Sequence, residues 1–192
     1  DGYGLLQLWD TNGVPLKTLI KSDDSRERVS KAIELKDGRI LSWHYPSHVL
    51  KIWDKNRDVL AILTGHVSSI NGAIELEDGR ILSWSEDRTL RLWDNQGHPL
   101  KTLLGHSGNI YNAEVFENGQ ILSDGVGSIH LWDTDGNLLK SGVKKGDYNR
   151  RSLSNNLMAL WGYDHKIALY NISDNSLITL IGHTAQVRGV LE

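Results

Sequence analysis

Short apolar runs of strand length alternate with turn-forming residues along the whole chain. The clearest unit has four runs, Ile70 to Leu76, Ile81 to Trp84, Thr89 to Trp93 and Leu100 to Leu103. Three turns separate them, at Asp78-Gly79, Glu86-Asp87-Arg88 and Asn95-Gln96-Gly97. Asp-Gly is a preferred pair in two-residue hairpins, in which both positions need positive φ. The chain has no long run with a 3.6-residue period, so the pattern predicts four antiparallel strands in each unit.

The same pattern returns about every forty residues. Trp-Asp closes the third run at Trp9-Asp10, Trp53-Asp54, Trp93-Asp94 and Trp132-Asp133, and Tyr170-Asn171 stands in the fifth place. The steps between these aromatic residues are 44, 40, 39 and 38 residues. Such a period is typical of an array of small sheets. We therefore predict an all-β chain with repeat units at about 1–20, 21–63, 64–103, 104–142, 143–181 and 182–192.

Composition excludes several classes of function. The formal net charge is −3 and both signs are interspersed, which argues against a nucleic-acid partner. The chain has no cysteine, so it has neither disulfides nor a thiolate zinc site. It has no apolar run of transmembrane length and no secretory signal, so we expect a cytoplasmic protein without a membrane partner. Nothing in the sequence indicates a cofactor.

Two further pairs of residues suggest a family. Gly-His occurs near the start of units at Gly65-His66, Gly105-His106 and Gly182-His183, and Trp-Asp ends the third run of most units. In this respect the whole chain resembles the WD-repeat (WD40) family of β-propellers, in the form found in bacterial arrays. The resemblance implies four-stranded antiparallel blades, of which about 4.8 are present: four complete blades and a partial first and last. Because family rings usually have seven blades, we expect a fragment of a longer propeller.

Four polar residues of the clearest unit match family positions: His66, Ser83, Asp87 and Trp93. Ser, His and Asp together could form a hydrolase triad. The resemblance implies instead a buried hydrogen-bond network that ties the strands to the turns. Partial recurrence of the set with the repeat favours this structural role, because a catalytic site need occur only once.

The other units depart from this set. The fourth unit has Gly125-Val126-Gly127 in place of the acidic turn, and the second has Ser42 and Trp53 without a Gly-His pair. The fifth keeps Asp164 but has Tyr170 in place of Trp. We therefore predict that the network is complete only in the third unit. That unit should be the best ordered, and hydrogen exchange should show uneven protection among the units.

Three further sets of residues have a structural and a functional interpretation. His44 and His48 could begin a metal site, but an exposed turn is favoured because a third ligand is missing. The Asp-rich turns at 10–13 and 133–136 are interpreted as capped turns rather than calcium loops. Trp43, Trp84 and Trp161 share one repeat position and are predicted to pack between neighbouring sheets, with a ligand-stacking ladder as the alternative.

Candidate partner-binding residues come from the family's usual docking face, which carries the loops into the first strand and the turns between the second and third. By position these are Tyr45, Glu86, Tyr111, Tyr148, Tyr163 and Arg188. The polar first strand of the fifth unit adds Arg150 and Arg151, within the most basic stretch of the chain. This stretch is either a solvated loop of a decayed blade or a patch for an acidic partner.

We therefore expect a non-catalytic scaffold that binds a protein or peptide. A sensor or autoinhibitory module of a larger prokaryotic signalling or defence protein is one alternative. A propeller-type hydrolase is another, and it would need carboxylates lining a central channel. The channel positions Glu34, Glu75 and Glu114 recur with the repeat, which suits architecture better than a single active site.

Overall fold

The structure is a computed structural model of the 192-residue chain. It describes residues 5–9, 15–21, 28–45, 47–56, 58–143, 148–152, 157–162, 167–171, 174, 176–181, 184 and 187–188. Its compact units are Asp1–Ser141 and Gly142–Glu192, and each is considered by itself below.

The described residues form eighteen strands and no helix. In chain order these are β1 (Leu5–Trp9), β2 (Pro15–Lys21), β3 (Arg28–Glu34), β4 (Ile40–Tyr45), β5 (Leu50–Trp53), β6 (Val59–Leu63), β7 (Ile70–Glu75), β8 (Ile81–Ser85), β9 (Leu90–Trp93), β10 (Pro99–Leu103), β11 (Ile110–Val115), β12 (Ile121–Gly125), β13 (Ser128–Trp132), β14 (Leu138–Val143), β15 (Tyr148–Ser152), β16 (Leu157–Gly162), β17 (Ile167–Asn171) and β18 (Ser176–Leu180).

Strands that follow each other in sequence pair with each other in space. β1 and β2 form the first, two-stranded sheet, and β3–β6, β7–β10, β11–β14 and β15–β18 form the second to fifth sheets, each of four strands. Neighbouring strands within each sheet run antiparallel. The prediction of an all-β chain of four-stranded antiparallel sheets is confirmed. The further first strand predicted at 187–192 is not seen at Val187 and Arg188, and its other positions lie outside the described residues.

The hairpins are wider than the Asp-Gly pairs suggested. The Leu76 carbonyl accepts the Gly79 N–H at 3.1 Å, and the Leu76 N–H donates to the Arg80 carbonyl at 2.7 Å. The loop therefore has three residues, and only Gly79, at φ 84°, has positive φ. The expected two-residue turn is wrong, because a type I turn that ends on a left-handed glycine also matches the twist of the strands. The Asp78 carboxylate caps it by accepting the N–H of Arg80 at 3.1 Å.

The Asp of the Trp-Asp pair caps the turn between the third and fourth strands. Asp94 Oδ1 accepts the N–H groups of Gln96 and His98, each at 2.8 Å. Asp133 Oδ1 does the same for Asp135 at 2.9 Å and Asn137 at 2.7 Å. These contacts account for the acidic residue after the tryptophan, and they are turn-capping contacts of the kind predicted for the 133–136 turn. The matching turn at 10–13 lies outside the described residues.

In the unit Asp1–Ser141 the second, third and fourth sheets pack face to face in chain order. Leu41, Trp43 and Leu63 of the second sheet share a buried cluster with Ile81 and Trp93 of the third. The opposite face of the third sheet forms the next cluster, in which Leu82, Trp84, Leu92 and Leu103 meet Ile110, Ile121 and Trp132 of the fourth sheet. The third sheet is therefore apolar on both faces, as a sheet in the middle of a stack requires.

Polar contacts also join these sheets at equivalent positions. Arg39 Nη1 of the second sheet donates to the Asn95 carbonyl of the third at 2.6 Å. Arg80 Nη2 of the third sheet donates to the Thr134 carbonyl of the fourth at 2.8 Å. The arginines after Asp37-Gly38 and Asp78-Gly79 therefore link their own hairpins to the turn between the third and fourth strands of the next sheet. The turn residues alone did not indicate this role.

Trp84 lies between the third and fourth sheets because Gly72 leaves room for it. Gly72 pairs with Trp84 across β7 and β8, and a Cβ at Gly72 would lie 2.1 Å from Cζ2 of the indole. Trp84 is 6% exposed, and its Nε1–H donates to the Tyr111 carbonyl at 3.3 Å. Trp43 and Trp84 thus pack between neighbouring sheets, while Trp161 is buried in the second compact unit beside Val187.

We expect Gly72→Ala to destabilise the chain by about 1–3 kcal/mol, because the added methyl group must displace a packed indole. Urea unfolding monitored by circular dichroism measures the loss. In a Trp84→Ala background the same methyl group meets no ring, so Gly72→Ala should there cost less than about 0.5 kcal/mol. Equal costs in the two backgrounds would show that the two residues do not interact.

Candidate functional site

The third sheet holds a buried polar network made of His66, Ser83, Asp87 and Trp93. His66 Nδ1 lies 2.8 Å from Asp87 Oδ2, and His66 Nε2 lies 2.8 Å from Ser83 Oγ. The Trp93 Nε1–H donates to the same Ser83 oxygen at 2.9 Å. The structure therefore brings together all four residues that the sequence selected, as one continuous chain of hydrogen bonds.

The chemistry of the groups determines the direction of each bond. A carboxylate only accepts, so Nδ1 of His66 carries the proton shared with Asp87. The indole of Trp93 only donates, so Ser83 Oγ accepts there and donates its own hydrogen to His66 Nε2. Every polar atom along this path is thereby satisfied with a neutral imidazole, as a buried network requires.

Asp87 is the most strongly bound member of the network. Its Oδ1 accepts the N–H of Thr89 at 2.9 Å and the Thr89 hydroxyl at 2.6 Å, and its Oδ2 also accepts the N–H of Val67 at 3.0 Å. Burial by itself raises the pKa of Asp87, but the hydrogen bonds from His66, from Thr89 and from the Val67 N–H outweigh it. The net effect is a pKa far below the ordinary value of 3.8.

The Asp–His–Ser order matches a hydrolase triad, but the surroundings do not match an active site. Ser83 has 0% of its surface exposed, and its oxygen already accepts a hydrogen bond from Trp93. A nucleophile must reach a substrate carbonyl, and its general base must be free to take its proton. The arrangement here joins the loop before β7 to β8 and β9 instead.

The second sheet has its own version of this network, which the sequence analysis missed. Ser42 Oγ accepts the Trp53 Nε1–H at 2.8 Å and lies 3.0 Å from Nε2 of His44. His44 was predicted to lie in an exposed turn; that prediction is wrong, because His44 lies in β4 and is 1% exposed. Its spacing of two residues from Ser42 places both side chains on one strand face, and this spacing was the available signal.

The fourth sheet completes its network with a serine. His106 Nε2 lies 2.7 Å from Ser123 Oγ, which accepts the Trp132 Nε1–H at 2.8 Å. His106 Nδ1 lies 3.0 Å from Ser128 Oγ, in the role that Asp87 has in the third sheet. Among the described residues the four-member set with a carboxylate occurs only in the third sheet, in agreement with the prediction, but Ser–His–Trp sets also occur in the second and fourth sheets. The carboxylate alone distinguishes the third.

The fifth sheet differs at the matching positions. Tyr170 of β17 is 6% exposed and pairs with Met158, as Trp93 pairs with Ile81 in the third sheet. The serine position is occupied by Leu160, which pairs with Ala168. Burial, and then the charge of Asp174, raises the pKa of Tyr170. Asp164 lies outside the described residues.

The structure gives the exposure of four candidate partner-binding residues: Tyr45, Glu86, Tyr111 and Arg188. Tyr45, at the end of β4, is 54% exposed, and Tyr111, at the start of β11, is 59% exposed. Glu86 is partly buried, and its N–H donates to the Ser69 carbonyl at 3.0 Å, while Arg188 is exposed. For Tyr148, Arg150 and Arg151 the structure describes only their places on β15. Tyr163 lies outside the described residues.

Tyr111 owes its exposure to a β-bulge. The register between β11 and β12 shifts between Ile110 and Asn112, so Tyr111 is the extra residue. The same shift occurs between Ile70 and Gly72 in the third sheet, where the extra residue is Asn71, and its side chain donates to the Ile110 carbonyl at 2.8 Å. Bulges commonly re-aim a side chain at the edge of a sheet. In the fourth sheet the re-aimed side chain is an aromatic ring.

Exposed apolar side chains of the unit Asp1–Ser141 lie at one end of the sheets and along the outer strands β6, β10 and β14, where they are Val59, Leu60, Ile62, Leu100, Leu138 and Leu139. We call the first of these two places, the end with the loops that enter the first strands and the turns between second and third strands, the loop face. Its exposed apolar residues are Tyr45, Val67, Leu104, Tyr111 and Val126. At the opposite end, the described residues of the turns 35–39, 54–58, 76–80, 94–98, 116–120 and 133–137 expose no large apolar side chain.

The loop face also carries backbone strain. Arg88 and His48 adopt left-handed conformations, with φ 70° and 54°, at the repeat position where the fourth sheet has Gly127 at φ 74°. A residue with a Cβ pays about 1–2 kcal/mol for this conformation, so glycine would fit the turn better. The Arg88 side chain is exposed to solvent on this face.

No protein-family model matches the chain, and no curated protein matches it. Across the described part of the chain, no group of three or more His, Cys, Asp or Glu side chains is placed to hold a metal ion. That same part contains no helix with the length and apolarity needed to cross a membrane.

Proposed function

We propose that the chain is a WD-repeat β-propeller module, without catalytic activity, that binds a protein or peptide on its loop face. The observation that carries this proposal is the difference between the two ends of the sheets in the apolar residues that their loops and turns expose. Tyr45, Val67 and Tyr111 are each more than half exposed, whereas the turns at the opposite end are polar. Exposed apolar groups gathered on one surface mark interaction sites.

The entry loops into β7 and β11 favour an uncharged partner surface. Residues 64–69 and 104–109, which form these two loops, contain no Asp, Glu, Lys or Arg, while the turn between β8 and β9 carries Glu86 and Arg88. Tyr111 and Tyr45 contribute apolar area, a hydroxyl group and few rotatable bonds, a combination favoured in protein recognition. The basic first strand of the fifth sheet, with Arg150 and Arg151, remains a separate proposal for an acidic partner.

The buried network supports the absence of catalysis. The three serines that meet a histidine on the second strands, Ser42, Ser83 and Ser123, are all 0% exposed. Three copies of one arrangement, each closed to solvent and each bonded to a tryptophan, suit a repeated structural support. A recognition module built on such a support needs a rigid frame under its loops.

Selection of a displayed peptide library on the 192-residue chain tests the proposal. We expect Tyr111→Ser to weaken the selected peptides by about 30-fold or more, because a central tyrosine contributes about 2 kcal/mol or more to binding. Ile62→Ser is the matched control, since Ile62 is 55% exposed but lies on the outer strand β6. Equal losses in the two variants, or a loss confined to Ile62→Ser, would contradict the loop face as the site.

A further inference from the structure

The contact between the third and fourth sheets contains a buried histidine that the repeat does not require. His130 lies on β13, is 3% exposed, and stacks on Trp132 with ring centroids 5.6 Å apart and planes 18° apart. Its ring centroid is 4.1 Å from that of His106. Within the described part of the chain, its Nδ1 atom has no hydrogen-bond partner. The network of the fourth sheet uses His106 and does not use His130.

The equivalent positions in the second and third sheets hold longer, cationic side chains. His130 corresponds to Lys51 in the second sheet and Arg91 in the third, and both of these are only partly buried. Long side chains can bury their stems and keep the charge in water. An imidazole is too short to do so, and His130 is enclosed by Trp132 and by Gly105, where an added Cβ would lie 3.1 Å from its Cε1 atom.

We propose that His130 makes the contact between the third and fourth sheets acid-sensitive. The contact holds while the ring is neutral and loosens when the ring is protonated. A charged imidazole at this site would need water or an acceptor for both N–H groups, and it would lie against the ring of His106.

The groups around His130 would do little to stabilise a positive charge on its ring. His106, on the loop before β11, is the titratable group that faces it. His130 pairs with Ser123 of β12. Asp124, the next residue on that strand, has its side chain on the other face of the sheet. On the third sheet, Arg91 of β9 alternates away, and Lys101 of β10 places its Nζ 3.0 Å from the Asp135 carbonyl. On β14, Lys140 is exposed.

The direction of the effect follows from linkage. Burial lowers the pKa of His130 below its ordinary value of 6.5. The unfolded chain therefore binds a proton more readily than the folded chain, so stability is complete above about pH 6.5 and declines as the pH falls below it. Over that range the unfolding equilibrium constant should rise by up to about tenfold per pH unit through this residue, until the folded-state pKa is reached.

Urea unfolding of the 192-residue chain between about pH 8 and about pH 5.5 tests the proposal, because carboxylates stay ionised over most of this range. We expect His130→Gln to flatten the loss of stability seen in the parent chain on acidification. His98→Gln is the matched control, because the His98 side chain is 76% exposed and contacts Asp94 of its own turn instead of the fourth sheet. A loss of stability that is equally steep in His130→Gln and the parent chain would overturn the proposal.

Hydrogen exchange on the unsubstituted chain gives a second test that does not depend on how the variant folds. After correction for intrinsic exchange rates, amides of β12 and β13 should lose protection at about pH 5.5 relative to pH 7.5, while those of β8 and β9 should lose less. Unchanged protection of β12 and β13, or an equal loss in both pairs of strands, would also overturn it. Neither experiment requires a partner to be known.

Discussion

Trp93→Ala is expected to destabilise the chain by about 3–5 kcal/mol, the usual range for removing a fully buried tryptophan from a core. Trp93 is 1% exposed and lies in the cluster shared by the second and third sheets. Its removal leaves a cavity between two sheets and deprives Ser83 of the hydrogen bond from Nε1. The loss should therefore exceed that of an ordinary strand substitution.

Urea unfolding followed by circular dichroism is the appropriate measurement, since tryptophan fluorescence is itself altered by the substitution. Trp93→Phe is the control that separates packing from hydrogen bonding: it keeps most of the apolar contact and removes the N–H donor, so we expect a loss of about 1–2 kcal/mol. A loss below about 1 kcal/mol for Trp93→Ala would mean that the second and third sheets do not depend on this contact.

Asp87→Ala is expected to cost about 3 kcal/mol at neutral pH, because it removes four hydrogen-bond contacts from one buried carboxylate. The donors left without their acceptor are His66, Val67 and Thr89, and Thr89 loses both its N–H and its hydroxyl contact. The Asp87 side chain is 2% exposed, so water cannot readily replace it. Ser128→Ala is the matched control in the fourth sheet, where only one contact to His106 is lost, and should cost about 1 kcal/mol.

Asp87→Ala should also change the response to acid. Because the folded-state pKa of Asp87 is depressed, its contribution is fully present above the unfolded value near 3.9 and is lost as the pH falls further. Removing the carboxylate should therefore reduce the difference in stability between pH 5 and pH 3, roughly, relative to the parent chain. A variant that loses stability as steeply as the parent over this range would show that Asp87 is not the group responsible.

Much of the fold could be predicted because its signals are local. The β7–β10 strands agree with the predicted runs to within one residue at most ends, since alternation and turn residues act over a few positions. The hairpin type was wrong because Asp-Gly is compatible with both a two-residue and a three-residue loop. Only the hydrogen bond from the Gly79 N–H to the Leu76 carbonyl distinguishes them.

The candidate site was predictable only where a complete set occurs in one unit. His66, Ser83, Asp87 and Trp93 were selected together, but His44 was assigned to a turn, and Ser128 was overlooked. His44 takes the part that His66 has in the third sheet, and Ser128 takes the part of Asp87. Each does so from a different position along the chain. Their role depends on which strand face they occupy and on how far the strand extends, and a sequence pattern of fixed repeat positions does not contain that information.

The sequence by itself determined the period, the strand-and-turn pattern and the residues of the third sheet's network. These follow from alternation along a strand, the φ preferences of glycine and the capping ability of aspartate, all of which act between near neighbours. Tertiary structure alone decided that Gly72 makes room for Trp84, that arginines link successive sheets, and that His130 lies buried against His106. These contacts join residues far apart along the chain or on facing sheets, so they depend on the register and packing of whole sheets.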